Sequence, residues 1–188
     1  MKWITTASGS PKARLTGVIY LLYFLVAIIA QVLGQHKLFL LSNATNVVSF
    51  ILYLILSFLF FFMFRPVNRL ISFIAAIVSA AGCIIGTIEL FYTTLQISPL
   101  WFFGPYCLLI GYLVFRSTFL PQILGLLMIL AGIGWLTYLS PLEKYLALYI
   151  EIIGVLAEAS LMLWLIVKGV NKLRWKEELR AMTETGEQ

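Results

Sequence analysis

The chain has 188 residues, 62% hydrophobic and 11% charged, with a formal net charge of +5. A soluble domain of this size needs far more polar surface, so the composition excludes one and points to a single membrane-embedded domain. The basic residues flank apolar segments and form no stripe, so the positive balance does not make nucleic acid a partner.

Six apolar segments follow one another, at about residues 15–33, 47–64, 70–93, 99–115, 120–139 and 145–167. Each is near the roughly 20 residues that cross a bilayer core as a helix. The first is too long for the apolar region of a signal peptide and lacks a small-residue cleavage pattern, so it reads as an uncleaved span. The longest loop is expected at 34–46 and carries Asn43-Ala44-Thr45, a glycosylation sequon by spelling. The fourth segment is the shortest and holds Pro105, which cannot donate to the Trp101 carbonyl; a kink or local unwinding is expected there.

Basic residues fall unevenly between the segments. Lys2, Lys12, Arg14, Arg65, Arg69, Arg116, Lys168, Lys172, Arg174, Lys176 and Arg180 lie on one side, and Lys37 and Lys144 on the other. The positive-inside rule then puts both termini in the cytoplasm, as an even number of spans requires. The expected fold is all-α, a polytopic transmembrane bundle of six helices. It divides into a cytoplasmic segment (1–14), the transmembrane domain (15–170) and a basic-then-acidic cytoplasmic tail (171–188). Leu173, Trp175, Leu179 and Met182 give that tail the choice between an interfacial helix and a plain helical extension.

Small residues mark packing faces. Ser72, Ala75, Ser79, Gly82, Gly86, Glu89 and Thr93 recur every three or four residues along helix three. Gly82 and Gly86 form a G-x-x-x-G, which lets another helix approach closely and predicts a central helix three. Glu151, Gly154 and Glu158 share a face of helix six, which the cost of a carboxylate in lipid turns inward, onto helix three. Gly125 and Gly132 predict close approach on helix five. Cys83 and Cys107 both lie in apolar stretches and read as small buried thiols, pairing only if helices three and four place them side by side.

The chemistry-bearing residues are few. Glu158 is expected near mid-membrane with Ser79 and Tyr23 at similar depth, and Glu151 and Glu89 nearer the outer end. A carboxyl with no basic side chain within two turns is expected to be neutral, hydrogen-bonded to Tyr or Ser, or facing a wet cavity. These five residues are the ligand or proton site candidates. There is no Asp, and His36 is the single His. That leaves no catalytic set, no metal site and no cofactor motif to nominate.

Several stretches resemble a known family. FRSTFLPQILGLLMILAGIGWL (115–136), AEASLMLWLIVKGVN (157–171) and ARLTGVIYLLYFLVAI (13–28) are similar to DUF4386 proteins, small bacterial membrane proteins. The likeness is most specific in Ser117-x-x-Leu120-Pro121 and in Glu158-x-Ser160-x-x-x-Trp164-Leu165-x-x-Lys168-Gly169-Val170, with Ala159 where the family often has Leu. It implies a six-helix inner-membrane protein and no activity. Two functions stay open. One is non-enzymatic binding of membrane lipid, a small hydrophobic ligand or a partner membrane protein, in a groove lined by helices three and six. The other is proton- or cation-coupled transport through Glu158 and Glu151. A lipid enzyme using Glu with Tyr or Ser is a third.

Overall fold

The computed structural model describes residues 9–92 and 98–186, and Thr93 lies outside the described residues. Among them are seven α-helices and no strand: α1 (Gly9–Gln35), α2 (Phe39–Phe64), α3 (Arg69–Phe91), α4 (Leu100–Arg116), α5 (Gln122–Thr137), α6 (Glu143–Val167) and α7 (Lys172–Gly186). Four of them, α1, α2, α3 and α6, are long and apolar enough to cross a membrane, with mean hydropathies of 2.1 to 2.7. The outer surface agrees: α1 alone exposes Leu22, Leu25, Ile28 and Ile29. An apolar exterior of this extent is solvated by lipid, not water, and makes the chain a membrane protein.

The long loop expected at 34–46 does not exist, because α2 begins at Phe39. Polar residues there satisfy themselves within the helical bundle. Ser42 donates to the Ala30 carbonyl at 2.9 Å, Asn46 to the Ser42 carbonyl at 3.1 Å, and the sequon residue Asn43 to the Leu90 carbonyl at 3.1 Å. Ser42, Ser49, Tyr53, Leu56 and Phe60 are all buried and recur every three, four or seven residues, so the inward stripe of α2 runs through the stretch read as loop. The α1–α2 turn is only three residues and places Lys37 at φ 61°. The α2–α3 turn is four residues, and Asn68 caps α3 by accepting from the Ile71 N–H at 2.9 Å. No unwinding breaks α4 at Pro105.

The first six helices form a closed ring. Each packs on its neighbours in sequence, and α6 returns to pack on α1. Helix three is therefore not central, and α3 and α6 share no packed face, so the groove expected between them is absent. The carboxylate face of α6 turns instead toward α1 and α5.

The closest backbone approach is between α4 and α5. A Cβ on Gly111 would stand 2.9 Å from the Gly125 carbonyl oxygen, and one on Gly132 would stand 2.9 Å from that of Gly104. Gly104 and Gly111 are seven residues apart, as are Gly125 and Gly132, so the two antiparallel helices meet glycine to glycine twice. The α3 glycines act differently. Gly82 seats Phe102 and Phe103 from α4, and Gly86 seats the Phe50 ring from α2, with a Cβ at Gly86 coming within 2.5 Å of Phe50 Cζ. They make room for rings on two sides rather than for one helix backbone.

The tail folds back on the bundle. Gly169, at φ 69°, turns the chain after α6, a left-handed conformation that glycine adopts without strain. Helix α7 then docks at the basic end of the ring. The Trp175 indole N–H donates to the Met63 carbonyl at 3.0 Å, and Glu178 Oε1 accepts from the Thr118 N–H at 2.8 Å and its hydroxyl at 2.6 Å. It is a separate helix from α6, not a plain extension of it.

Candidate functional site

Tyrosines and serines supply the polar interior. Tyr20 on α1 is 1% exposed, and its hydroxyl donates to Glu158 Oε2 on α6 at 2.9 Å. From this pair a file of rings crosses the bundle. Tyr20 and Tyr23 have centroids 6.2 Å apart, Tyr23 and Tyr53 4.7 Å, and Tyr53 and Tyr106 5.6 Å. The file ends on Ser57, whose hydroxyl donates to Tyr106 Oη at 3.4 Å and is hydrogen-bonded to Ser79. The hydroxyls of Tyr23 and Tyr53 have no hydrogen-bond partner among the described residues. Such groups are available to a polar molecule that reaches them.

A cavity of about 550 Å³ opens onto the start of this file. Its walls include Tyr23, Ile28 and Gln31 of α1, Trp135 of α5 and Val155 of α6, and it touches both Glu151 and Glu158. It lies between the first and sixth helices, with Leu100, Trp135 and Tyr138 completing its wall. The two helices are pressed together at Gly17, where a Cβ would lie 2.8 Å from the Ile166 backbone nitrogen. The cavity lies beyond the Tyr20–Glu158 bond, between residues 23–31 of α1 and 151–158 of α6. Ile28 and Val155 are exposed, so its flank faces the same exterior as the lipid-solvated surface.

Of the candidates named from sequence, three meet here. Glu158 is half-buried at the inner end of the cavity, Tyr23 lines it, and Glu151 is exposed toward the other end, where its Oε1 accepts from the Tyr138 hydroxyl at 3.4 Å. Gly154 lies between the carboxylates and seats the Trp135 indole, so it positions α5 against α6. Ser79 is fully buried but stands at the far end of the tyrosine file, bonded to Ser57 and not to Glu158. Glu89 is half-buried on α3 and makes no hydrogen bond among the described residues. Tyr20, Tyr53, Tyr106 and Ser57 were not singled out from sequence. The periodic Ser49, Tyr53, Ser57 face of α2 was the available signal. Cys83 and Cys107 are free and buried. No group of His, Cys and Glu suited to a metal ion occurs among the described residues.

The arrangement supplies an apolar-walled cleft with a hydrogen-bonded carboxyl at its inner end and a second carboxyl near its other end. Such a cleft suits a molecule with an apolar body and a polar or cationic group.

The family model for "Domain of unknown function (DUF4386)" matches residues 87–169, from the end of α3 through α6. It therefore contains both cavity carboxylates but not Tyr20 or Tyr23. An uncharacterised protein of Archaeoglobus fulgidus is 31% identical over 119 residues, covering 58% of this chain and 72% of the relative. No solved structure matches. On these matches, the chain belongs to the DUF4386 family.

Proposed function

We propose that this protein is a six-span protein of the cell's inner (plasma) membrane that binds a small hydrophobic or amphiphilic ligand in the cleft between α1 and α6. The ring supports six spans. At roughly 1.5 Å per residue, the 17-residue α4 and 16-residue α5 are about 24–26 Å long, short of the ~30 Å core. Yet they pack between α3 and α6, both long enough to cross, and so traverse the same layer. Both termini then lie on the cytoplasmic side with the basic residues. Residues 15–170 form the membrane domain and α7 caps its cytoplasmic end.

The observation that carries the binding reading is the 550 Å³ cleft reaching Glu158. Its walls are apolar and its flank faces lipid, so a hydrophobic molecule enters sideways without crossing water. Glu158, held by the Tyr20 hydroxyl, fixes the polar group. Extraction of purified protein followed by mass spectrometry is the test. A co-purifying small amphiphile that is retained by wild type and lost from Val155→Trp, which fills the cleft, supports the reading. Equal retention overturns it.

A second reading, proton- or cation-coupled transport, is favoured by one observation: the same cavity touches two carboxylates about two helical turns apart. Proteoliposomes separate the two readings. Substrate accumulation driven by an imposed pH gradient and abolished by Glu158→Gln belongs to transport alone.

A further inference from the structure

A second pocket, of about 420 Å³, lies at the basic end of the ring, remote from the α1–α6 cleft. It is bounded by the start of α1, the end of α2 and the docked α7. Leu15, Leu59, Phe62 and Val170 make its walls apolar, and Lys12 and Arg65 are its two cationic members. Trp175 closes one side, held there by its bond to the Met63 carbonyl.

Arg65 is unusual. Its guanidinium stacks over the Phe62 ring at 5.6 Å, and its Nε is buried with no hydrogen-bond partner. No acidic side chain among the described residues forms an ion pair with it. Glu178 lines the neighbouring polar pocket together with Arg65; its Oε1 is held by Thr118, and its Oε2 is buried without a hydrogen-bond partner and forms no ion pair with the guanidinium. Nε is enclosed, but the guanidinium as a whole brings a positive charge with no ion pair to the pocket wall, and a phosphate is a natural complement for it.

We infer that this pocket binds one anionic phospholipid, with an acyl chain in the apolar slot and the phosphate between Lys12 and Arg65. Charge complementarity and position select that occupant. The slot is apolar where it runs along the helices and cationic where α1 begins and α2 ends, the order of chemistry in a phospholipid at the membrane boundary. The inference rests on the membrane-spanning reading above and is independent of the α1–α6 cleft.

The experiment is native mass spectrometry of the full chain released from micelles containing phosphatidylglycerol or phosphatidylcholine with identical acyl chains. Wild type should retain one phosphatidylglycerol in preference to phosphatidylcholine. Lys12→Gln and Arg65→Gln should each reduce that preference about fivefold, the weight of one basic residue near a membrane surface. Lys12 is exposed, so its variant is expected to fold even if the Arg65 variant does not. Leu15→Trp, which fills the slot and keeps both charges, should reduce retention of both lipids. Equal retention of the two lipids, or Lys12→Gln and Leu15→Trp binding as wild type, overturns the inference. So does full displacement by millimolar inorganic phosphate, which would mark a free-anion site. Alkaline carbonate extraction is run alongside. A protein released from membranes by carbonate loses the spanning reading as well, whereas one that stays embedded without lipid preference loses this inference alone.

Discussion

Adding one methyl group at Gly125 should pry α4 from α5. An ideal Cβ there stands 2.5 Å from the Phe115 backbone nitrogen, 2.7 Å from the Gly111 carbonyl oxygen and 2.8 Å from the Phe115 Cα. All three are backbone atoms, so no rotamer change relieves the contact. Restoring ordinary van der Waals separation requires the helices to part by about 1 Å, which forfeits dispersion along the seam. Overpacking of this kind costs about 1–3 kcal/mol. Gly134→Ala is the internal control, because its Cβ would meet only the Ile150 side chain, at 3.2 Å. Both substitutions sit in α5 and change helix propensity equally, so their difference isolates the seam. Thermal unfolding in micelles should rank Gly125→Ala well below Gly134→Ala, with Gly111→Ala close to Gly125→Ala. Equal midpoints for Gly125→Ala and Gly134→Ala would refute the close-approach argument.

Other consequences are open to direct measurement. Glu158→Leu should destabilise the bundle by about 1–3 kcal/mol, because the buried Tyr20 hydroxyl loses its acceptor. Glu158→Gln keeps an acceptor and should stay near wild type, and equal unfolding midpoints for Leu and Gln would count against the Tyr20 bond. Gly82→Leu and Gly86→Leu, which collide with seated Phe rings, should lower the melting midpoint more than Ile84→Leu at an exposed site; three matching midpoints would dismiss the α3 contacts. In a background lacking Cys83 and Cys107, cysteines at Val67 and Arg116 should react only from the cytoplasmic side, and those at His36 and Lys144 only from outside. External labelling at Val67 would reverse or break the proposed topology. Trp175→Ala should release α7 and speed trypsin cleavage after Lys172 and Lys176, and an unchanged digestion rate would mean that the indole bond does not hold the helix.

Chain order and apolar length made the helices legible in the sequence, because a membrane helix declares itself by composition over about 20 residues. The glycines at 125 and 132 were legible as a contact face for the same reason. What sequence could not supply was the identity of each face's partner. Glu158 was expected to need a hydrogen-bond donor, but that donor, Tyr20, lies 138 positions away, and nothing local to α6 names it. Ser79 and Glu158 do lie on opposite ends of one polar file, yet similar depth did not make them neighbours. The stretch 39–46 failed differently. Ser42, Asn43 and Asn46 read as loop because they are polar, whereas each bonds a backbone carbonyl, and two of those carbonyls belong to other helices. Helix α7 was ambiguous because its anchors bond partners far back in the chain, Trp175 a carbonyl 112 positions earlier and Glu178 the Thr118 N–H and hydroxyl 60 positions earlier.

The closure of the ring has a consequence for how the protein is made. Five of its six interfaces join helices consecutive in the chain, so each can form as the next segment enters the membrane. The α1–α6 joint has no such order. Until the last long helix arrives, α1 must wait with its inner face toward lipid, and Tyr20 has no carboxyl to meet. Completion of synthesis and formation of the cleft are thus one event. A chain stalled before α6 would hold five correctly paired helices and an open flank, the kind of surface by which membrane quality control distinguishes unfinished proteins from finished ones.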